Sequence, residues 1–273
     1  MAELTAPKKT GEGGHWYTRT GEAAYEQPTA DGKGTRATNL KDARKLGLLP
    51  SVTTVLSALD RPQLTLWKLK NAVRTAGGTA RRDGEEEEEW VQRVLDAAEA
   101  PASEAADLGS RIHDALALAV GGEEGDAGLG GYIAPALGWL VAKLAEGWTV
   151  AAKEEVLVGD GYAGRVDLVL LRAGRALVVD WKSRKTRPEE TDKSAFAPYP
   201  TQEMQLAAYA MAFRLMHAEV TAVETANVIL SSTEPGRWAV RPHGDVGGAW
   251  EAFQATLALW AWVKGYDPRG QED

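Results

Sequence analysis

Apolar positions recur at helical spacing through much of the first half of the chain and at alternate positions beyond it. The run Val52 to Leu59 follows Ser51, a residue type that caps helix N-termini. Pro62 opens a second helical pattern, with Leu64, Trp67, Leu69 and Val73 at roughly helical spacing, and Gly77-Gly78 closes it. The spacing predicts a helix from about Glu88 to Glu99, a new one opening at Pro101 and running to Val120, a Gly/Glu/Asp loop over 121–131, and a helix over about 132–146. The first 50 residues are polar and Gly-rich. Their main pattern is a small hairpin of His15–Thr18 and Ala24–Glu26 about a turn at Gly21.

The period then changes. Glu155–Val158, Arg165–Leu171 and Ala176–Trp181 are rich in β-branched residues and separated by Gly-containing turns, which predicts a three-stranded antiparallel meander. An amphipathic helix over about 201–217, strands at Asn227–Ser231 and Trp238–Arg241, and a last helix over Val246–Lys264 complete the chain, with no internal repeat. This order predicts an α/β (α+β) core with a mainly helical N-terminal part.

Composition narrows the function classes. Among 273 residues, 44% are hydrophobic and 26% charged, as in soluble globular proteins. The absence of cysteine excludes disulfides, thiolate zinc sites, a cysteine nucleophile and a thiolate-held iron–sulfur cluster. The net charge of −8 argues against non-specific coating of long duplexes, while leaving room for a local basic channel. Glu85–Glu89 carry much of that excess and suit a solvated helix start. Met1–Lys9 contain no apolar h-region, and the longest apolar stretch, Tyr132 to Ala142, contains Pro135 and stops at Lys143. The expectation is a cytoplasmic protein with no membrane partner.

Candidate chemistry lies in the meander. In Ala176-Leu177-Val178-Val179-Asp180-Trp181-Lys182, Asp180 and Lys182 share one strand face with Val178 and Ala176. A symmetric hairpin about Arg172-Ala173-Gly174-Arg175 pairs Leu171 with Ala176 and, by the same register, Asp167 with Asp180. Directly opposed residues have Cβ atoms roughly 4.5–5.5 Å apart, so two carboxylates there repel. An unpaired buried charge costs several kcal/mol, and a hard divalent cation with oxygen ligands is an economical counter-charge. A lone Asp-x-Lys is more often a structural ion pair; the opposed Asp167 and the apolar flanks on both strands favour a metal site.

Gly164-Arg165-Val166-Asp167, then Val178-Val179-Asp180-Trp181-Lys182, then Gln205-x-x-x-Tyr209, with Leu108-Gly109-Ser110-Arg111-Ile112-His113 upstream, resembles the RecB-like branch of the PD-(D/E)XK nuclease superfamily. The stretch Leu49-Pro50-Ser51-Val52-Thr53-Thr54-Val55-Leu56 looks like the opening of phage and prophage exonucleases of this type. The resemblance implies a restriction-endonuclease-like mixed sheet flanked by helices. It divides the chain into residues 1–100, a hairpin and helical part, and 101–273, the nuclease core. It implies that Asp167 and Asp180 bind Mg²⁺ or Mn²⁺ with the backbone carbonyl of Trp181, and that His113 is a further ligand. Lys182 would orient the attacking water or stabilise phosphate charge, Gln205 and Tyr209 would support the site, and Glu154 would point toward the metals.

Each supporting residue also has a structural alternative. His113 sits beside a stripe of Leu108, Ile112, Leu116 and Ala119, where a histidine is often core. Gln205 and Tyr209, four apart, share a helix face, and Tyr209 alone reads as a core aromatic. Glu154 and Glu155 alone read as solvated strand-start residues. Between 161 and 200 there are eight Lys/Arg against five Asp/Glu. Arg184, Lys185, Arg187 and Lys193 could therefore track a DNA backbone, or belong to a disordered polar loop. Trp67 with Lys68 and Lys70, or Trp16 with Tyr17 and Arg19, could stack bases. The expected function is a metal-dependent DNA exonuclease acting at a strand end, in phage-type recombination or genome processing. The alternatives are an internal or structure-specific endonuclease of the same fold and a non-catalytic nucleic-acid-binding module.

Overall fold

The computed structural model describes residues 14–269; the Met1–Lys9 stretch considered above for a secretory signal lies outside them. The N-terminal part contains β1 (Trp16–Tyr17), β2 (Glu26–Pro28), β3 (Thr35–Ala37), α1 (Leu40–Leu46), β4 (Leu49–Pro50), α2 (Val52–Leu56) and α3 (Pro62–Gly78). Then come α4 (Glu87–Val120), a 3₁₀ turn (Ala127–Leu129), α5 (Gly130–Ala145), β5 (Thr149–Gly159), β6 (Tyr162–Arg172) and β7 (Arg175–Arg184). The chain ends in α6 (Asp192–Ala195), α7 (Pro200–Met216), β8 (Ala222–Ser231), β9 (Trp238–His243) and α8 (Val246–Lys264).

Five strands form one mixed sheet in the order β5-β6-β7-β8-β9. Every neighbouring pair is antiparallel except β7 and β8, which run parallel with α7 as the crossover between them. On one face, Ala176 and Val178 of β7 pack with Leu206, Ala210 and Phe213 of α7 and Phe253 and Trp260 of α8. On the other, Leu177, Val179 and Trp181 pack with Ile112 and Leu116 of α4 and Ile133, Ala136 and Leu140 of α5. The expected mixed sheet flanked by helices is therefore present. The segment Ala127–Ala145 is, by length and mean hydropathy (1.2), long and apolar enough to cross a membrane; in this fold Ile133, Ala136 and Leu140 face the sheet.

The observed elements extend the expected ones, and one boundary differs. Glu87–Val120 is a single helix with Pro101 inside it, not two helices meeting at the proline, and it crosses the 100/101 division. Proline removes one backbone donor and crowds the preceding turn. The buried stripe Val94, Ala98, Gly109, Ile112 and Leu116 nonetheless keeps helical phase across it. Asn71 of α3 donates Nδ2 to the Ala98 carbonyl at 2.9 Å, just before the proline.

The segment after β7 is an ordered loop rather than a disordered one. Arg237 donates to the Arg187 carbonyl at 2.9 Å and to Asp192 Oδ1 at 3.0 Å. Arg241 donates to the carbonyls of Phe196 and Asp192 at 3.1 and 2.6 Å.

Candidate active site

β6 and β7 pair from Arg172↔Arg175 up to Leu168↔Val179. The turn residues Ala173 and Gly174 both have positive φ, +46° and +76°, the backbone of a two-residue hairpin loop matched to strand twist. The next rung in this register would join Asp167 to Asp180, and the ladder stops short of it. Asp167 Oδ2 instead accepts the Trp181 N–H at 2.7 Å, so a side chain takes the place of a strand partner.

The same break appears on the other edge of β6. β5 pairs Lys153 with Leu168 and Glu155 with Val166, passing over Glu154 and Asp167. Glu154 has φ +48°, a left-handed conformation uncommon outside glycine. Such a backbone costs about 1–3 kcal/mol and persists where the surroundings impose it. Two carboxylate residues on neighbouring strands are thus left out of the ladder opposite one another.

α4 approaches from the other side. A Cβ at Gly109 would stand 2.6 Å from Ser183 Oγ, so only glycine lets α4 come this close to β7 without displacing that side chain. One turn on, His113 places Nδ1 3.6 Å from Asp167 Oδ2. A cleft of about 360 Å³, lined by Ala106, Gly109, Ser110, His113, Asp114 and Ser183, opens beside it.

Asp180 is buried, 2% exposed. Lys182 Nζ donates to its Oδ1 at 2.7 Å, and Asn227 Nδ2 of β8 donates to its Oδ2 at 2.7 Å. Behind Asn227, His243 Nε2 on β9 stands 2.8 Å from Asn227 Oδ1. Sequence reasoning passed over both. The available signal was a polar residue, Asn227, between Ala226 and Val228 in a strand that buries its side chains.

Tyr209 on α7 is buried over β6, and Gln205 Nε2 donates to its hydroxyl at 3.3 Å. Gly164 makes this approach feasible, because a Cβ there would lie 2.7 Å from Tyr209 Cε1. Gly164→Ala should therefore push Tyr209 off β6 and destabilise the protein by about 1–3 kcal/mol, the usual cost of overpacking. A lowered melting midpoint checks this; an unchanged one would mean that the helix yields freely.

The electrostatics follow from burial and crowding. Burial raises the Asp167 pKa, and Asp180 raises it further, against the opposing pull of His113, Lys182 and the Trp181 N–H. Burial and then the charge of Asp167 push Glu154 up to about 7. Burial works against the Lys182 ammonium, yet Asp180 and Asp167 outweigh it and its pKa is raised. Tyr209 is raised by burial, with Asp180 and Asp167 adding to the shift against the Gln205 hydrogen bond.

Glu154, Asp167, Asp180, Lys182, Gln205, Tyr209 and His113 therefore gather around one end of β6 and β7. For Trp181 the structure shows the N–H on Asp167 and the indole edge-on to Trp139, with centroids 6.1 Å apart. Among the basic residues, Arg184 donates to the Ala195 and Ala197 carbonyls and lies 4.7 Å over the Tyr199 ring. Lys185 and Arg187 are exposed.

The donor chemistry fits a hard divalent cation. Asp167 and Asp180 crowd the Lys182 ammonium, Glu154 lies close enough to Asp167 to feel its charge, and Asp167 Oδ2 accepts the Trp181 N–H while no side-chain or backbone donor reaches its Oδ1 among the described residues. Among the same residues, no three His, Asp or Glu side chains already stand at coordination spacing.

A family model described as the PD-(D/E)XK nuclease superfamily matches residues 132–240. That span includes Glu154, Asp167, Asp180, Lys182, Gln205 and Tyr209; His113 and His243 lie outside it. The five-stranded mixed sheet with its flanking helices is consistent with a restriction-endonuclease-like PD-(D/E)XK fold. None of the curated proteins compared with the chain matches it. A solved structure titled "Crystal structure of SSO0001" is 14% identical, with a TM-score of 0.29, and the alignment covers 72% of this chain and 86% of that one.

Proposed function

We propose that the protein is a DNA exonuclease dependent on Mg²⁺ or Mn²⁺, hydrolysing phosphodiester bonds from a strand end. The observation that carries this reading is the convergence of Asp167, Asp180 and Lys182, with Glu154 alongside, where the β6–β7 ladder opens. Asp167, Asp180, Glu154 and His113 are the residues that would hold the cation, with the Trp181 carbonyl. When bound, a divalent ion supplies Lewis-acid stabilisation of phosphate charge and acidifies water. Lys182 keeps its proton at Nζ, because two carboxylates raise its pKa, and offers a fixed positive charge to the phosphate. Tyr209 and Gln205 close the site from α7.

Features of the N-terminal part support action at an end. Ser51, within the stretch that looks like phage exonucleases, bridges to Ala163 on β6, the strand that carries Asp167. α3 exposes Trp67 beside Lys68 and Lys70, a wall suited to stacking and backbone contact along a single strand. Lys185 and Arg187 offer exposed charge just beyond the end of β7. The proposed setting is phage-type recombination or genome processing in a bacterial or phage-infected cytoplasm.

End-labelled linear DNA and covalently closed circles, each incubated with Mg²⁺ or Mn²⁺, test the reading. Linear DNA should be degraded and circles spared, with chelator stopping the reaction and Ca²⁺ substituting poorly. Cutting of circles would make the enzyme an internal endonuclease. Binding without cleavage of either substrate, under any divalent ion, would leave a nucleic-acid-binding module.

A further inference from the structure

Asp180 ends a row of side chains that crosses three strands and reaches the surface. Asn227 neighbours it in the parallel ladder of β7 and β8 and is fully buried. His243 of β9 follows, and its Nδ1 stands 3.4 Å from Glu203 Oε1 on α7. The His243 side chain is 3% exposed and that of Glu203 41%.

Hydrogen accounting gives the row a direction. An ionised carboxylate only accepts, so the Asn227 amide must turn Nδ2 toward Asp180 and Oδ1 toward His243. An amide oxygen also only accepts, so His243 Nε2 must carry the hydrogen. Glu203 Oε1 then stands 3.4 Å from the remaining ring nitrogen, a contact that becomes a hydrogen bond when the imidazole or the carboxyl carries a further proton. Lys182 takes the other oxygen of Asp180. Between them, Lys182 and Asn227 leave the carboxylate one rotational setting.

Buried polar groups in an apolar strand require partners, and Asn227, between Ala226 and Val228, paired with His243 of β9 contributes less to folding than apolar side chains of similar size would. The arrangement is better explained by the residue at its end. We propose that Asn227 and His243 are positioning residues that set the orientation of the Asp180 carboxylate toward a divalent cation. The inference rests on the metal-dependent nuclease reading above.

The test uses His243→Phe, which keeps a ring but loses the Nε2 donor, and His243→Gln, whose amide can still donate to Asn227. Asn227→Leu, of similar volume, is the second disrupting variant, and Asp180→Asn is the control. Three quantities are measured on the full chain: Mn²⁺ affinity by calorimetry without DNA, cleavage of linear DNA, and the melting midpoint. His243→Phe and Asn227→Leu should each weaken Mn²⁺ binding and slow cleavage by about 10–100-fold, the range usual for residues that orient metal ligands. His243→Gln should recover most of both.

Parent-like Mn²⁺ affinity and cleavage in folded His243→Phe and Asn227→Leu, with Asp180→Asn inactive, would overturn the inference and leave the nuclease reading standing. A lowered midpoint with unchanged affinity would likewise make the row merely structural. Parent-like cleavage by Asp180→Asn would instead place the reaction at other residues, and a parent protein that cleaves no DNA under any divalent ion would sink the nuclease reading itself. Should one disrupting variant fail to fold, the other, read against His243→Gln, decides.

Discussion

Asp180→Asn should yield a folded protein that no longer cuts DNA, with cleavage reduced by at least about 10³-fold, equivalent to roughly 4 kcal/mol of transition-state stabilisation. The amide has nearly the size of the carboxylate it replaces, and one oxygen remains to accept from Lys182 or Asn227. The other position becomes an NH₂ group facing a donor, which costs about 1–3 kcal/mol. Loss of the negative charge partly offsets this, because Asp180 is among the groups that raise the pKa of Asp167. Asp180→Ala should melt lower than Asp180→Asn, since it strips both Lys182 and Asn227 of their acceptor. Steady-state cleavage with parallel thermal melts separates the two effects. A folded Asp180→Asn variant cutting within tenfold of the parent would place the reaction at other residues.

The opposition of Asp167 and Asp180 was legible because strand side chains have a period of two and the intervening loop is two residues long. Those facts fix the register through Leu168↔Val179. The sequence could not show that the ladder opens at the next rung. That depends on an Asp167 oxygen taking the Trp181 N–H, a contact between groups fourteen positions apart. Glu154 was legible as a carboxylate near the site, but its left-handed backbone, which leaves it out of the ladder opposite Asp167, has no local signature.

The expected hairpin strand over His15–Thr18 is β1, which bridges Ala23 across the Gly21 turn. Its main partner, β4, is two residues long and too short to carry a period; the two pair as Trp16↔Pro50 and Tyr17↔Leu49. α1 buries only Ala43, so its signal lay in the capping box of Asn39 and Asp42 and not in an apolar stripe. The Asn227–His243–Glu203 row had no sequence signature as a group. Its members meet only through the β8–β9 pairing and the placement of α7 across the sheet, each set by contacts distant in sequence. Arg237 and Arg241 show the converse. Their charge suggested nothing about folding, yet their donors hold the loop after β7 in place.

Glu154→Gln should make the chelator-treated protein more stable at pH 8 and flatten its pH dependence between about 4.5 and 7. An acid whose pKa is raised on folding binds more protons in the native state than in the unfolded one, so stability falls as pH rises across the interval between the two values. For Glu154 that interval runs from the ordinary glutamate value of about 4.5 to about 7. The loss is on the order of 2–3 kcal/mol, allowing for solvent at its rim. Asp167, also raised, acts with the same sign. His15 and His243 act oppositely: burial lowers their pKa values, so their contribution to stability grows as pH rises through the region just below 6.5. The net slope of the parent therefore mixes opposing groups, whereas the difference between parent and Glu154→Gln isolates one. Adding Mn²⁺ at pH 8 should raise the parent's midpoint more than the variant's, because a cation that binds only the folded state stabilises it by mass action and Glu154 supplies part of the negative charge it meets. Denaturant melts from pH 4.5 to 8, with and without Mn²⁺, read both effects. Parallel pH curves for parent and variant would mean that Glu154 is solvated and carries no burden from Asp167.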